Sequence, residues 1–204
     1  MRLFIAQCKT NKLIERALMP SKSTAVASFQ NILTFWFKTI EPKQWWIKSD
    51  AFDQRIFEEF SEVHSQAIQC ELAHWRSCIQ GRLAEIIVLD QFSRNLYRNS
   101  AQAFANDSLA VALAQEALLQ DTSVLQNHEL AFLYMPFMHS ESATIHQSSL
   151  ELFQQLGLQQ QLEFEIQHKA IIDRFGRYPH RNTILGRTST AEEIEFLQTK
   201  GSRF

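Results

Sequence analysis

Apolar residues along this chain recur at helical rather than alternating spacing. From Phe52, the positions Phe52, Ile56, Phe60, Val63 and Ala67 advance by four, four, three and four residues, which aligns them on one side of a helix. The same periodicity predicts helices over 23–37, 81–96, 103–119, 127–139, 144–156 and 158–175. A last helix opens at a capping box, Thr190 followed by Glu193, and ends before Gly201. Only five Gly and four Pro punctuate the chain, and no segment alternates convincingly enough for a strand. About eight helices of ten to eighteen residues, by this reading, joined by short loops predict an all-α fold of stacked antiparallel helical hairpins. No thirty-four-residue repeat is legible.

Within that pattern the stretch 81–98 stands apart. Leu83, Ala84, Ile86, Ile87, Val88, Leu89 and Phe92 leave it apolar on nearly every side, which predicts a central, buried helix. Asp90, Arg94 and Arg98 follow at intervals of four and so share one stripe. Charges on a buried helix must be paired or face a ligand. Asp90 and Arg94 form a structural ion pair that orients the helix, or Asp90 steadies arginines lining a cleft, and Arg98 is assigned to the cleft. Further on, FLYMPFMHSE sets Pro136 inside an apolar helical run, where a missing N–H tends to kink a helix. His139 and Glu141 follow at its end. They shape a pocket wall, or His139 caps the helix C-terminus while Ser140 and Glu141 begin the next helix.

Composition narrows the class. A chain of 204 residues with 45% hydrophobic and 21% charged residues suits one soluble globular domain, drawn here over 23–204, with 1–22 as an N-terminal extension. Met19 is a candidate start, so 1–18 reads as dispensable or as a short helix through Leu13, Ile14, Ala17 and Leu18. The opening MRLFIAQCKTNK fits neither a signal peptide nor a membrane span. Three cysteines without CxxC spacing argue against a disulfide framework and for a reducing cytoplasm. A net charge of -2 makes bulk nucleic-acid binding unlikely. No cofactor or metal is expected: no HExxH, nucleophile elbow, P-loop or dinucleotide fingerprint occurs. Cys70, His74 and Cys78 at i, i+4, i+8 would, on one continuous helix, place the outer pair about 12 Å apart, too far to share a zinc.

Positive charge is concentrated late. The segment RFGRYPHRNTILGR, Arg174 to Arg187, holds four arginines, whereas 99–168 contains eight acids and no Lys or Arg. Arginine favours forked recognition of carboxylate or phosphate. Gly176 reads as the stop of the preceding helix and Pro179 as a turn, so that Arg177, His180, Arg181 and Asn182 present polar groups from one loop. The alternative is a loop whose arginines pair with the acidic middle and lock the C-terminal helix in place.

Several motifs occur together in one order: FWF at 35–37, WW at 45–46, GRLAEIIVLDQFSRNLYR at 81–98, FLYMPFMHSE at 132–141, and RFGRYPHRN followed by LGR and TSTAEE. Together they resemble a bacterial family of unknown function, DUF924, over roughly 25–204. The resemblance implies an all-helical, tetratricopeptide-like fold and carries no reaction with it. Where the family pattern reads DQFPRN, this chain has Ser93. The leading functional expectation is a binding module whose cleft, lined by Arg94, Arg98, His139, Arg177, His180, Arg181 and Asn182, captures a small anionic ligand or an acidic peptide end. One alternative is an enzyme with His139 or His180 as general acid or base, Glu141 orienting it and arginines holding a phosphate or carboxylate. Another is a structural protein whose arginines are internal braces.

Overall fold

A computed structural model describes residues 28–202, in which helices account for the regular structure and no strand occurs among the described residues. The extension expected over 1–22 and the possible start at Met19 lie outside the described residues, as do 23–27 of the first expected helix. Helix α1 (Phe29–Thr34) starts at Ser28, whose side chain accepts from the Gln30 N–H, and continues as a π-helical turn, Phe35–Thr39. Helix α2 (Asp50–Ile68) is capped by Ser49, and Asp50 and Asp53 sit in its first turn, where the helix dipole favours acids. All five residues of the Phe52 stripe are buried, at 0–6% exposure.

The middle of the molecule is α3, a continuous rod running from Ile79–Ile87 through a π-helical turn, Val88–Phe92, into a last α-turn, Ser93–Leu96. Leu83, Ala84, Ile86, Ile87, Val88, Leu89 and Phe92 are fully buried, as their pattern predicts. Helices α1, α2, α4 (Asp107–Ala117) and α5 (Asn127–His139) pack around it. Rings from separate elements interlock there: Trp36 lies 5.6 Å from Phe92 and 5.5 Å from Phe132, and Phe60 lies 5.1 Å from Phe92. Gly81 lets the 3-10 turn Ala73–Ser77 come close, since a Cβ there would stand 2.0 Å from the Trp75 carbonyl oxygen. Ser93 is fully buried. Its hydroxyl donates to the Leu89 carbonyl at 2.6 Å and meets His64 Nε2 at 2.8 Å.

Beyond α5, helices α6 (Ala143–Leu156) and α7 (Gln159–Phe175) pack in succession. Gly176 ends α7 with φ 67°, the left-handed conformation that glycine adopts without strain. The following loop is anchored by fully buried Tyr178, which clusters with Ile171, Ile172, Phe175 and Phe196. Helix α8 (Ala191–Phe196) closes the chain with both hydrogen bonds of the Thr190–Glu193 capping box made.

Three local expectations are corrected. The helix expected over 103–119 begins at Asp107, because a 3-10 turn, Ala101–Phe104, precedes it. Ser140 and Glu141 do not begin a helix; Ser142 is the N-cap of α6. Helix α2 stops at Ile68 and Cys70 takes φ 60°, so Cys70, His74 and Cys78 do not share a continuous helix. Among the described residues no helix is long and apolar enough to cross a membrane.

Candidate functional site

Three chain segments ending in polar groups meet beside the C-terminal half of α3. The 3-10 turn and α4 bring Phe104 and Asp107, the end of α5 brings His139, and the loop after α7 brings Arg181. They enclose a cleft of about 410 Å³ whose apolar wall includes Phe104, Val111, Ile145 and Leu185, and whose polar lining includes Asp107, Ser108, His139, Ser140, Glu141 and Arg181. A volume of that order suits a small molecule.

Asp107 holds the corner together. Its carboxylate accepts from Arg94 Nη2 at 3.0 Å and Arg181 Nη1 at 3.1 Å. Arg181 also donates through Nη2 to the His139 carbonyl at 3.1 Å, and its guanidinium lies 4.5 Å from the centroids of both Phe104 and Tyr178. Such cation–π contacts strengthen when water is excluded, and Arg181 is 6% exposed. Its Nε is buried without a hydrogen-bond partner among the described residues.

Behind this corner, Asp90 sits in the π-turn of α3 and is almost fully buried. His139 Nδ1 meets its two oxygens at 2.8 and 3.0 Å, Gln91 Nε2 donates to it at 2.6 Å, and Arg94 Nη1 stands 3.1 Å away. Burial alone would raise the Asp90 pKa. The Arg94 charge and the His139 and Gln91 hydrogen bonds outweigh it and hold the carboxyl well below its usual range. Burial, opposed by Asp90 and assisted by Arg94, holds the His139 pKa below the usual histidine value, so at neutral pH the ring is neutral. A neutral imidazole facing a carboxylate through Nδ1 carries its proton there, which leaves the Nε2 lone pair available. Nε2 has no hydrogen-bond partner among the described residues.

The remaining arginines are occupied elsewhere. Arg98, expected in the cleft, binds Asp53 of α2 through Nε and, at 2.6 Å, through Nη2, because α3 ends at Leu96 and Tyr97 leaves helical geometry (φ -121°, ψ 36°). Arg177 forks onto Glu193 at 2.6 and 2.8 Å and donates to the Thr188 carbonyl. Asn182 binds Ser189 and the same Glu193, fixing the loop to α8. His180 packs on Tyr178 with ring centroids 5.6 Å apart and is outside the cleft lining. Glu141 does not orient a histidine. It receives Arg187 at 2.6 and 2.9 Å and the Tyr178 backbone N–H at 2.7 Å. Of the residues the sequence singled out, the cleft therefore gathers His139, Arg181 and Glu141, with Asp90 and Arg94 directly behind them.

Sequence reasoning missed Asp107, and it missed a second buried set beneath the loop. His146 and Glu165, both fully buried, meet at 2.8 Å, while His146 Nε2 bonds the Ser140 carbonyl at 2.9 Å and the Tyr178 hydroxyl at 3.1 Å. Tyr178 donates to the Met138 carbonyl at 2.5 Å. Nε2 therefore donates to the Ser140 carbonyl. A signal was present: Glu165 and His168 fall on the face of α7 that also carries Ile171 and Ile172, so two polar residues occupy a helical core stripe.

Fold and site together define an all-helical protein with a small, charge-balanced cleft backed by an aspartate–histidine contact. The family model for bacterial proteins of unknown function, DUF924, matches residues 32–201, and the chain belongs to this family. A solved structure of a protein of unknown function from Agrobacterium tumefaciens is 37% identical, with a TM-score of 0.78, covering 83% of this chain and 96% of that one. No curated protein matches the chain.

Proposed function

We propose that the protein is a small-molecule binding module whose ligand carries a single carboxylate and a short apolar body. The observation that carries this reading is the cleft itself, where a buried guanidinium and a neutral histidine share one lining with an apolar wall. Arg181 supplies the polar end, while Val111, Ile145 and Leu185 supply the apolar one. Charge favours a monoanion over a phosphate dianion. Arg94 and Arg181 are already balanced by Asp90 and Asp107, so each negative charge on a ligand enters a site without net positive charge, and one costs less than two. The same balance, with the small volume, disfavours an acidic peptide end.

The experiment is a thermal-shift titration with butyrate, inorganic phosphate and a dicarboxylate, on the natural chain and on Ala112→Trp. Ala112 is exposed on α4 and lines the cleft, so an indole there fills the space without entering the core. A ligand at a hundred times its dissociation constant stabilises by about 2.7 kcal/mol, or roughly 5–10 °C in a domain of this size. Butyrate raising the melting temperature of the natural chain but not of Ala112→Trp supports the reading, and equal responses refute it. A bracing role for the arginines has its own support at Arg98 and Arg177, whose guanidinium groups are each spent on one carboxylate outside the cleft.

A further inference from the structure

The contact between Asp90 and His139 has a consequence beyond binding. A histidine that only braces two helices has no need of an available second nitrogen at a cavity. Here Nδ1 is fixed against a buried carboxylate, Nε2 has no protein partner among the described residues, and the ring lines the cleft. This is the arrangement a general base requires: a proton held on one nitrogen, a lone pair on the other, and a fixed negative charge to stabilise the imidazolium that forms. We infer that His139 is the general base and general acid of a hydrolytic site, working through Nε2 on water and a small carboxylic ester in the cleft, with Asp90 as its positioning residue. The inference rests on the carboxylate-binding reading above, because the acid product of such a reaction is the proposed ligand.

The nucleophile follows from what His139 touches. Among the described residues no serine, threonine or cysteine side chain is hydrogen-bonded to it, and the hydroxyl of adjacent Ser140 instead accepts from the Ser142 N–H at 3.2 Å. Water is therefore the attacking group. As its oxygen bonds to the ester carbonyl carbon, Nε2 takes one water proton and the carbonyl electron pair moves onto oxygen, beside the Arg181 charge. When the tetrahedral adduct collapses, the carbonyl reforms and the bond to the alcohol oxygen breaks. The proton on Nε2 passes to that leaving oxygen. Ester and water become acid and alcohol, the imidazole is neutral again, and the acid ionises into solvent. A phosphate ester suits the site less, since the cleft carries no net positive charge for a dianion.

The groups facing His139 set its response to pH: Asp90 and Arg94 from α3, Asp107 from α4, His168 from α7, and Arg181 from the loop, which binds its carbonyl. The test measures hydrolysis of p-nitrophenyl butyrate by the full chain and by His139→Gln, Asp90→Asn and Ala112→Trp, with butyrate thermal shifts on each. Saturable turnover is expected, lost about a hundredfold or more in His139→Gln, the usual scale of a general base, while butyrate still stabilises that variant. The rate should be flat at neutral pH and fall below an apparent pKa under 6.5. Asp90→Asn should lower kcat and move that limb to lower pH, because Asp90 raises the histidine pKa. Should His139→Gln fail to fold, Ala112→Trp must still lose turnover.

Unchanged hydrolysis in a folded His139→Gln overturns the inference. So does saturable butyrate binding by the natural chain without ester turnover, which leaves the binding reading standing. Absence of both overturns the two together. Turnover of p-nitrophenyl phosphate in place of the ester overturns the substrate class.

Discussion

Replacing Arg181 with alanine separates a guanidinium that serves only a ligand from one that also holds the fold. An arginine that served only a ligand would be removed at little cost to the fold. Arg181 is not such a residue, because it is nearly buried and touches Asp107, the His139 carbonyl, Phe104 and Tyr178. The lost hydrogen bond to the carbonyl contributes about 1–1.5 kcal/mol. Two cation–π contacts add about 1–2 kcal/mol together at a site mostly shielded from water. Breaking a buried pair outright costs about 3–5 kcal/mol, but Asp107 keeps Arg94, so only a fraction of that applies. The sum is on the order of 3 kcal/mol, a fall in melting temperature of roughly 6–12 °C at 2–4 °C per kcal/mol. Differential scanning calorimetry, checked by urea unfolding, reads it. Arg181→Met, which keeps the apolar stem, should recover part of the loss. A drop below about 2 °C in Arg181→Ala would falsify the claim that this residue is built into the fold.

Other outcomes follow from single contacts. Gly81→Ala places a methyl 2.0 Å from a backbone oxygen, which side-chain rotation cannot relieve, so destabilisation should reach or exceed the ~3 kcal/mol upper range of ordinary overpacking; a melting temperature within 3 °C of the natural chain, on the scale of a single kcal/mol, argues against that approach. Arg98→Ala should leave butyrate binding unchanged, because its partner is Asp53 on α2; a lost thermal shift would return Arg98 to the cleft. Burial lowers the His64 pKa to about 4 and the His168 pKa to about 3, and lowers that of His139 too. Between those values and the unfolded value near 6.5, the unfolded chain binds more protons, so stability rises with pH and is lost on acidification through that window. Each such histidine contributes up to about 1.4 kcal/mol per pH unit. Urea unfolding at pH 7 and pH 5 should show the loss, and His64→Gln should make it shallower; an unaltered slope would remove His64 from the account.

Residues whose role depends on local periodicity were legible. The Phe52 stripe, the all-round apolar face of α3, the left-handed stop at Gly176 and the Thr190 capping box each follow from spacing within a few turns of chain. Pairing between distant segments was not. Asp107 is an ordinary acid near a helix start until Arg181, seventy-four residues later, reaches it. Asp90 was paired with Arg94 from i, i+4 spacing, and that contact exists, yet the same spacing gives no hint that His139 shares the carboxylate. Arg98 was misplaced for a related reason: the stripe assumes a helix that continues, and α3 stops two residues short of it. Glu141 was given to a histidine by proximity in sequence, while its arginine comes from forty-six residues further on.

The uneven charge along the chain finds its physical meaning in these long pairings. Two arginines of the C-terminal loop cross to the arginine-free middle, Arg181 to Asp107 and Arg187 to Glu141, and two stay local, Arg174 to Glu192 and Arg177 to Glu193. Arg177 holds α8 on the loop, and Arg174, in the last turn of α7, ties α8 to that helix. The crossing pairs lay the loop over the end of α5, where buried Tyr178 bonds the Met138 carbonyl and the His146–Glu165 pair lies beneath. Cleft and brace are thus the same construction: the guanidinium that lines the cleft also makes hydrogen bonds that hold the cleft together. Because those bonds join residues 46 and 74 positions apart, their closure entropy has to be met by the already packed core of α1 to α5. The loop is therefore the part of the site expected to open first, and any ligand that bridges Arg181 and His139 would hold it shut.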